Sequence, residues 1–199
     1  SVTDMYGMFN GAKSFNQDIS KWNVSKVVDM SHMFWNAISF NQNIGTWNTQ
    51  NVLYMSYMFA NTDNFNQDIS AWNVASVYSM DGMFGGASSF NQDIGKWNVE
   101  NVTDMAIMFA SCVSFNQDIG NWNVSNVTDM EYMFHSAFKF NQNLGKWTLN
   151  KDVNMNYMLS NCGLSCENYD KTLIGWNSNP LTPENLSLDA NYLKYWMAD

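Results

Sequence analysis

The sequence has no arginine, and its nine basic residues are all lysines. Eighteen acidic residues bring the net charge at pH 7 to −9. Nucleic-acid-binding proteins need clustered lysine and arginine to displace counterions from phosphates, and arginine makes their bidentate contacts to bases. The composition therefore argues against DNA, RNA and anionic membrane surfaces as partners. We interpret the acidic charge as a contribution to solubility.

Long apolar runs are also missing. No run approaches the ~20 residues that a membrane-spanning helix requires, and no signal peptide is present. The chain opens inside a repeat, because Met5 and Met8 occupy the repeat positions of Met30 and Met33. We therefore expect the sequence to be part of a longer polypeptide.

Cysteine and histidine are scarce. The odd number of cysteines fits neither a disulfide framework nor a zinc site. Cys112 and Cys162 stand where other repeats have alanine, which predicts buried thiols. Cys162 and Cys166 form either a disulfide at the end of the repeats or two free thiols. His32 and His135 lack the spacing of a metal site or a catalytic triad, and we predict that they are solvated helix residues.

A 25-residue repeat fills most of the sequence. Phenylalanine and tryptophan recur at this period without a slip, and a fixed period of this length predicts a stacked array. We predict that the in-phase phenylalanines and methionines form its core. The repeated residues are Phe15, Phe40, Phe65, Phe90, Phe115, Phe140, Trp22, Trp47, Trp72, Trp97, Trp122 and Trp147.

Each repeat contains two apolar patterns. The pattern I-x-x-W-x-V-x-x-V from Ile19 to Val27 is similar to the leucine-rich-repeat consensus, and its alternation predicts a short strand around Trp22. In residues 30–37 the apolar side chains recur at i, i+3, i+4 and i+7, which predicts a two-turn helix. The predicted fold class is an α/β solenoid: a right-handed, leucine-rich-repeat-like superhelix of 25-residue coils, with a parallel sheet of six strands on one side and short helices on the other.

Two regions are predicted. Residues 1–163 form the repeat solenoid, with six strand-bearing coils and a truncated N-terminal coil. Residues 164–199 lose the period and contain both prolines, and we predict a C-terminal capping segment with one helix over 168–176 and a strand or turn after it. The apolar residues available to this cap include Leu186, Leu188, Tyr192, Leu193 and Trp196.

The unit F-N-Q-x-I-x-x-W-x-V-x-x-V-x-x-M-x-x-M-F-x-x-A resembles the repeat of BspA-like bacterial surface proteins and lipoproteins, a divergent leucine-rich-repeat group of unknown function. The resemblance covers residues 1–163, and the terminal NYDKTLIGW and LDANYLKY look like the closing segment of such arrays. It implies an extracellular or surface-displayed, non-enzymatic protein for adhesion or recognition, with no catalytic residues and no cofactor. Thr49, Thr62 and the shifted Val153 depart from the unit and are expected to affect local geometry only.

Leucine-rich-repeat solenoids commonly bind ligands on the exposed side of the sheet. We call the corresponding residues the Asn face, and predict that they form a binding surface or pair their amides with one another. The Asn face comprises Lys21, Asn23, Asn48, Gln50, Asn73, Lys96, Asn98, Glu100, Asn121 and Asn123.

A second candidate surface lies on the predicted helical side, where Trp35, Tyr57, Tyr132 and Tyr157 project from mid-helix positions. Exposed aromatic residues are frequent anchors at interfaces. Trp35 is the strongest indication of an interface, because other repeats have small or polar residues at its position. The alternative is that these aromatic rings are half-buried and cover the neighbouring coil.

Two polar columns recur as well. Every coil has Asn-Gln after its phenylalanine, which predicts hydrogen bonds to turn backbone in the same coil and to amides in the next. One position carries Asp18, Asp68, Asp93 and Asp118, with asparagine in two other coils. These carboxylates either bind calcium weakly between coils or accept backbone N–H bonds in their own turns. Because asparagine makes the same turn without charge, we predict turns and no metal.

The leading hypothesis is therefore adhesion to, or recognition of, a protein or glycan ligand of unknown identity. A structural stalk or spacer within a larger cell-surface protein is the alternative. Catalysis is the weakest hypothesis, because the sequence offers no nucleophile, acid–base pair or phosphate-binding loop with suitable spacing.

Overall fold

The computed structural model of the chain describes residues 2–184, 186–188 and 190. Within them each 25-residue repeat forms a coil that stacks on the next through backbone hydrogen bonds, such as the Met30 N–H to the Tyr54 carbonyl at 3.0 Å. Isolated parallel β-bridges join equivalent residues of successive coils. The bridges are Asp4–Asp29, Asp29–Tyr54, Tyr54–Ser79, Ser79–Asp104, Asp104–Asp129 and Asp129–Asn154.

Residues 30–37 form consecutive turns, and the prediction of a short helix here and in the equivalent segments is wrong. The Met33 N–H donates to the Met30 carbonyl, as in a β-turn. The backbone φ is +59° at His32 and +58° at Asn36, whereas a helix requires values near −60° throughout. Left-handed residues therefore interrupt the segment before a helix can propagate.

The hydrogen bonds of this segment explain why turns suit a stacked array. The N–H groups of His32 and Phe34 donate to carbonyls of the next coil, at Ser56 and Met58. The N–H group of Trp35 donates within its own coil, to His32. Amide groups thus alternate between closing turns and joining coils, whereas an α-helix would direct all of them along its own axis.

The predicted strands around the tryptophans do not form among the described residues. Turns stand on both sides of Trp22, because its own N–H donates to Ile19 and the Val27 N–H donates to Val24. The bridge ladder lies seven positions after each tryptophan and is a single residue wide in each coil. The right-handed, leucine-rich-repeat-like solenoid stays a prediction.

Aromatic rings stack along the length of the core. Phe34 stacks on Phe40 of its own coil at a centroid distance of 3.9 Å and on Phe59 of the next coil at 5.5 Å. The same contacts recur in the following coils, so the expectation that the in-phase phenylalanines and methionines form the core is confirmed from Met30 to Met158, whereas Met8 of the first coil is exposed. Trp72 is 3% exposed and Trp22 is 38% exposed, because no described coil packs against the outer side of Trp22.

Two departures from the repeat are accommodated by hydrogen bonds. Thr49 and Thr62 are buried in positions where other coils have valine and alanine. The Thr49 hydroxyl donates to the Asn73 carbonyl at 2.9 Å, and the Thr62 hydroxyl donates to the Phe34 carbonyl at 2.6 Å. Each threonine therefore satisfies its polar atom against a neighbouring coil.

Helix α1, Cys166–Ser178, follows the last coil. The helix predicted over 168–176 is confirmed and is longer than predicted. Ser165 is its N-cap and accepts a hydrogen bond from the Asn168 N–H. Leu188 makes a parallel bridge with Met155 after the helix. Tyr192, Leu193 and Trp196, which we assigned to the cap, lie outside the described residues.

Helix α1 takes over bonds that a further coil would make. The Trp176 indole N–H donates to the Leu144 carbonyl at 2.9 Å, as the Trp147 indole does to Ile119 one coil earlier. The Asn168 amide donates to the Asn141 carbonyl at 2.8 Å. The helix thus covers the last coil with a non-repeating sequence. No described helix has the length and apolar character to cross a membrane.

Candidate functional site

All ten residues of the Asn face are exposed, and turns rather than strands carry them. The Asn23 side-chain oxygen accepts the Ser25 N–H at 3.1 Å, and Asn48, Asn73, Asn98 and Asn123 make the equivalent bond. The central column therefore fixes its own turns instead of pairing amides between coils. Lys21, Gln50 and Lys96 remain as exposed groups that a ligand can contact.

The aspartate column has the same construction. The Asp93 carboxylate accepts the Gly95 N–H at 2.9 Å, and Asn43 and Asn143 make this bond without a charge. Hydrogen bonds from Ser20 and Ser70 lower the pKa of Asp18 and Asp68. These bonds support the turn interpretation of the column. Across the residues that the structure describes, no group of three histidines, cysteines or acidic residues is placed to hold a metal ion.

The Asn-Gln pairs join coils. The Asn16 side-chain oxygen accepts both the Asn41 N–H and the Gln42 side-chain amide at 2.9 Å. Equivalent pairs of bonds follow at the later coils as far as Asn141. The predicted contact to the next coil is confirmed, but the backbone N–H also comes from the next coil and not from the same one. These side-chain amides therefore hold successive coils together.

The cysteines are free thiols, so the predicted alternative of a Cys162–Cys166 disulfide is not realised. Cys112 and Cys162 are buried as expected. Burial raises the pKa of Cys162 to about 11 and also raises the pKa of Cys112. Both side chains are therefore protonated at neutral pH and are poor nucleophiles.

The predicted aromatic residues form two separate clusters. Trp35 and Tyr57 lie with ring centroids 5.9 Å apart, and the His32 ring lies 5.1 Å from Trp35 and 5.2 Å from Tyr57. Tyr132 and Tyr157 stack at 4.9 Å in later coils.

The histidines are half-buried turn residues, which corrects the prediction that they are solvated helix residues. Nδ1 of His32 and Nδ1 of His135 are both buried and lack a hydrogen-bond partner among the described residues. His32 packs between Tyr6 and Tyr57, with ring centroids 5.0 and 5.2 Å away. His135 meets the Tyr132 ring edge-on at 5.4 Å. The histidines therefore contribute to the two aromatic clusters.

A groove of about 280 Å³ opens beside the first cluster. We call it the turn-face groove. Its lining combines two aromatic side chains, one isoleucine, a floor of alanine and glycine, and two polar residues. The lining residues are Trp35, Tyr57, Ala60, Asn61, Gly85, Gly86, Ile107, Ala110 and Ser111.

Tyr57 and Trp35 have different roles in this groove. The Tyr57 ring lies over Gly82 of the next coil, where an added Cβ would stand 2.4 Å from the ring. Tyr57 therefore covers its neighbour, as the alternative interpretation expected. Trp35 forms a wall instead, because the following coils have Ala60 and Gly85 at its position.

Sequence reasoning missed the acidic residues beside the groove. The Tyr57 backbone N–H donates to the Asp81 carbonyl at 2.7 Å, and burial together with the charge of Asp104 raises the pKa of Asp81 to about 6. Burial also raises the pKa of Asp104. Asp81 and Asp104 stand at different repeat positions, so no single column of the repeat identified them as neighbours.

Comparison with known proteins gives a family but no characterised relative. The model of a family described as "Mycoplasma protein of unknown function, DUF285" matches two overlapping segments, residues 1–89 and 65–176. Together these segments contain the stacked coils and most of α1. No curated protein and no solved structure matches the chain. The expectation of a repeat family of unknown function is confirmed, and the BspA-like assignment is not.

Proposed function

We propose a recognition function for this chain, which belongs to the family described as Mycoplasma protein of unknown function, DUF285. In this proposal it is a non-enzymatic module, displayed at a cell surface, that binds a protein or glycan ligand. Its stacked coils form a right-handed, leucine-rich-repeat-like solenoid related to the BspA-like proteins. The repeat motif supports this finer assignment.

The observation that carries the proposal is the turn-face groove. Ligand sites are typically concave and largely apolar, with a few polar groups. The groove has that composition, with Trp35 and Ile107 as apolar walls and Asn61 and Ser111 as polar groups. Hydrogen bonds between coils hold the backbone beneath it, so a ligand would meet a preformed surface. Pre-organisation of this kind lowers the entropic cost of binding.

The test is binding of the 199-residue chain to arrays of glycans and of surface proteins. We expect saturable binding to at least one ligand by wild type, and its loss in Trp35→Ala. Lys96→Ala, an exposed change on the Asn face, is the matched control and should retain binding. A Trp35→Ala protein with an unchanged melting temperature would show that the loss is local.

A stalk or spacer is the second candidate function. The observation in its favour is the uninterrupted ladder of Asn-Gln bonds, which stiffens the stack over its whole length. A stalk needs no ligand. Absence of binding on both arrays would contradict recognition and favour the stalk, whereas binding that is lost in Lys96→Ala but not in Trp35→Ala would move the site to the Asn face.

A further inference from the structure

Charge is distributed unevenly around the coils. We define the turn face as residues 4–11, 29–36, 54–61, 79–86, 104–111, 129–136 and 154–161. This face contains six acidic residues and no lysine, although the chain has nine lysines elsewhere. The acidic residues are Asp4, Asp29, Asp81, Asp104, Asp129 and Glu131.

Three of these carboxylates lie in three successive coils, since Asp104 and Asp129 form a parallel bridge and the Met80 N–H, next to Asp81, donates to the Asp104 carbonyl at 2.9 Å. Burial raises the pKa of both Asp81 and Asp104, and the charges of Asp104 and Asp129 raise the pKa of Asp81 further, as the charge of Asp129 does for Asp104. All three are half-buried. Asp81 also joins this cluster to the groove wall, because the Tyr57 backbone N–H donates to the Asp81 carbonyl at 2.7 Å.

Two aromatic rings line the groove itself. Trp35 is half-buried and Tyr57 is half-buried, so part of each ring is accessible. A lysine or arginine side chain is attracted to the face of such a ring, and the attraction is largest for tryptophan. An aromatic wall with carboxylates beside it therefore complements a positive charge.

We propose, resting on the recognition function above, that the turn-face groove binds a cationic peptide segment of a partner protein. One lysine or arginine side chain lies against Trp35 and Tyr57, and a neighbouring one faces Asp81 and Asp104. The groove runs from the coil of Trp35 to the coil of Ile107. At ~4.8 Å between coils this is roughly 14 Å, the length of about four extended residues.

Charge complementarity selects this partner over a neutral or acidic one. The three half-buried carboxylates repel one another, and a bound cation would relieve that repulsion. An acidic peptide would add to it. A neutral sugar could stack on Trp35 but would leave the carboxylate cluster uncompensated.

The test is the anisotropy of a fluorescein-labelled octalysine peptide titrated with the full chain at 150 mM salt. Exposed charges more than ~8 Å apart are largely screened at this ionic strength, so distant carboxylates contribute little. We expect the triple variant Asp81→Asn, Asp104→Asn, Asp129→Asn to bind about tenfold more weakly than wild type. The repeat has asparagine at the position of Asp104 and Asp129 in another coil, at Asn154, so this variant is compatible with the fold.

The matched control removes three carboxylates from the other side of the coil. Asp68→Asn, Asp93→Asn, Asp118→Asn follows the asparagines already present at Asn43 and Asn143. This triple should change the affinity by less than about twofold. Equal losses in the two triple variants would show non-specific attraction and overturn the proposal.

Three further outcomes test the site and separate this proposal from the recognition function. Retention of octalysine affinity in Trp35→Ala would overturn the groove as the site. Failure to bind octalysine, combined with Trp35-dependent binding to a glycan array or to tetramethylammonium chloride, would overturn the cationic peptide and leave recognition in place. Failure to bind octalysine and to bind either array would overturn both.

Discussion

Two residues in every coil have a left-handed backbone conformation, and they stand four positions apart. Glycine occupies both positions in two coils, at Gly7 and Gly11 and at Gly82 and Gly86. In the other coils the positions hold residues with side chains, including β-branched Ile107 at φ +61°. Such residues lose roughly 1–2 kcal/mol in this conformation. The turns are therefore maintained against a local cost, which the hydrogen bonds between coils offset.

Reciprocal substitutions at one repeat position test this cost. Gly86→Ala should destabilise the protein, because φ is +72° and the added Cβ would stand 2.2 Å from the Asn61 side-chain oxygen. Ser111→Gly should stabilise it by about 0.5–1 kcal/mol, since relief of left-handed strain exceeds the added entropy of the unfolded chain. Urea denaturation measures both effects. Opposite signs from those expected would show that this position is not left-handed in solution.

Asp81 gives the fold a predictable pH dependence. Its pKa rises from 3.8 to about 6 on folding, because burial disfavours the carboxylate and Asp104 lies near. The folded state therefore binds more protons than the unfolded state in this interval, and the unfolding free energy falls as pH rises from about 4 to about 6. Asp81→Asn, which removes the titrating carboxyl group, should raise the melting temperature at pH 7 and reduce this slope. If the unfolding free energy of the variant depends on pH as steeply as that of wild type, the raised pKa of Asp81 is contradicted.

At the scale of the coil, period and register were predictable from sequence, but the shape of the coil was not. Phe34 and Met30 were expected in the core and are buried there. Their spacing at i, i+3, i+4 and i+7 is also satisfied by consecutive turns, so periodicity alone did not exclude a helix. Gly82 and Gly86 contained the missing information, because two glycines four apart favour left-handed backbone more than helix.

The candidate site was predictable only in part. Trp35 was identified because its repeat position is small or polar elsewhere, and that same contrast creates the turn-face groove. Ile107 and Asp81 were not identified, because their contribution depends on which coils lie side by side and on how the turns aim each side chain. Comparing the repeats one position at a time does not reveal contacts between residues that stand at different repeat positions.

The Asn-Gln bonds provide a test at the scale of the coil. Asn91→Ala removes the acceptor of the Asn116 N–H and of the Gln117 amide, at 2.9 and 3.0 Å. Because these donors are only partly shielded from water, the expected loss is about 1–2 kcal/mol in unfolding free energy. Lys96→Ala, on the exposed surface of the same coil, should change it by less than about 0.5 kcal/mol. Equal losses in the two variants would mean that the Asn-Gln hydrogen bonds contribute no more to the unfolding free energy than an exposed side chain does.

At the scale of the whole molecule, coils stack because none buries its apolar residues alone, and α1 covers the last one. Trp176→Ala should lower the unfolding free energy by about 3–5 kcal/mol, since it empties a buried site that is 4% exposed and removes the bond to Leu144. Ile174→Ala on the same helix is the control, because Ile174 is 64% exposed. Calorimetric unfolding compares the two variants. A small effect of Trp176→Ala would show that α1 does not stabilise the stack.

Every described coil is built from turns with two left-handed residues, and both proposed binding modes depend on the surface that these turns create. Backbone chemical shifts and three-bond H–N–Cα–H couplings across residues 29–37 and their equivalents measure this conformation directly. The structure predicts positive φ at His32 and Asn36, with turn-like shifts between them. Continuous helical shifts from Met30 to Ala37 would contradict it.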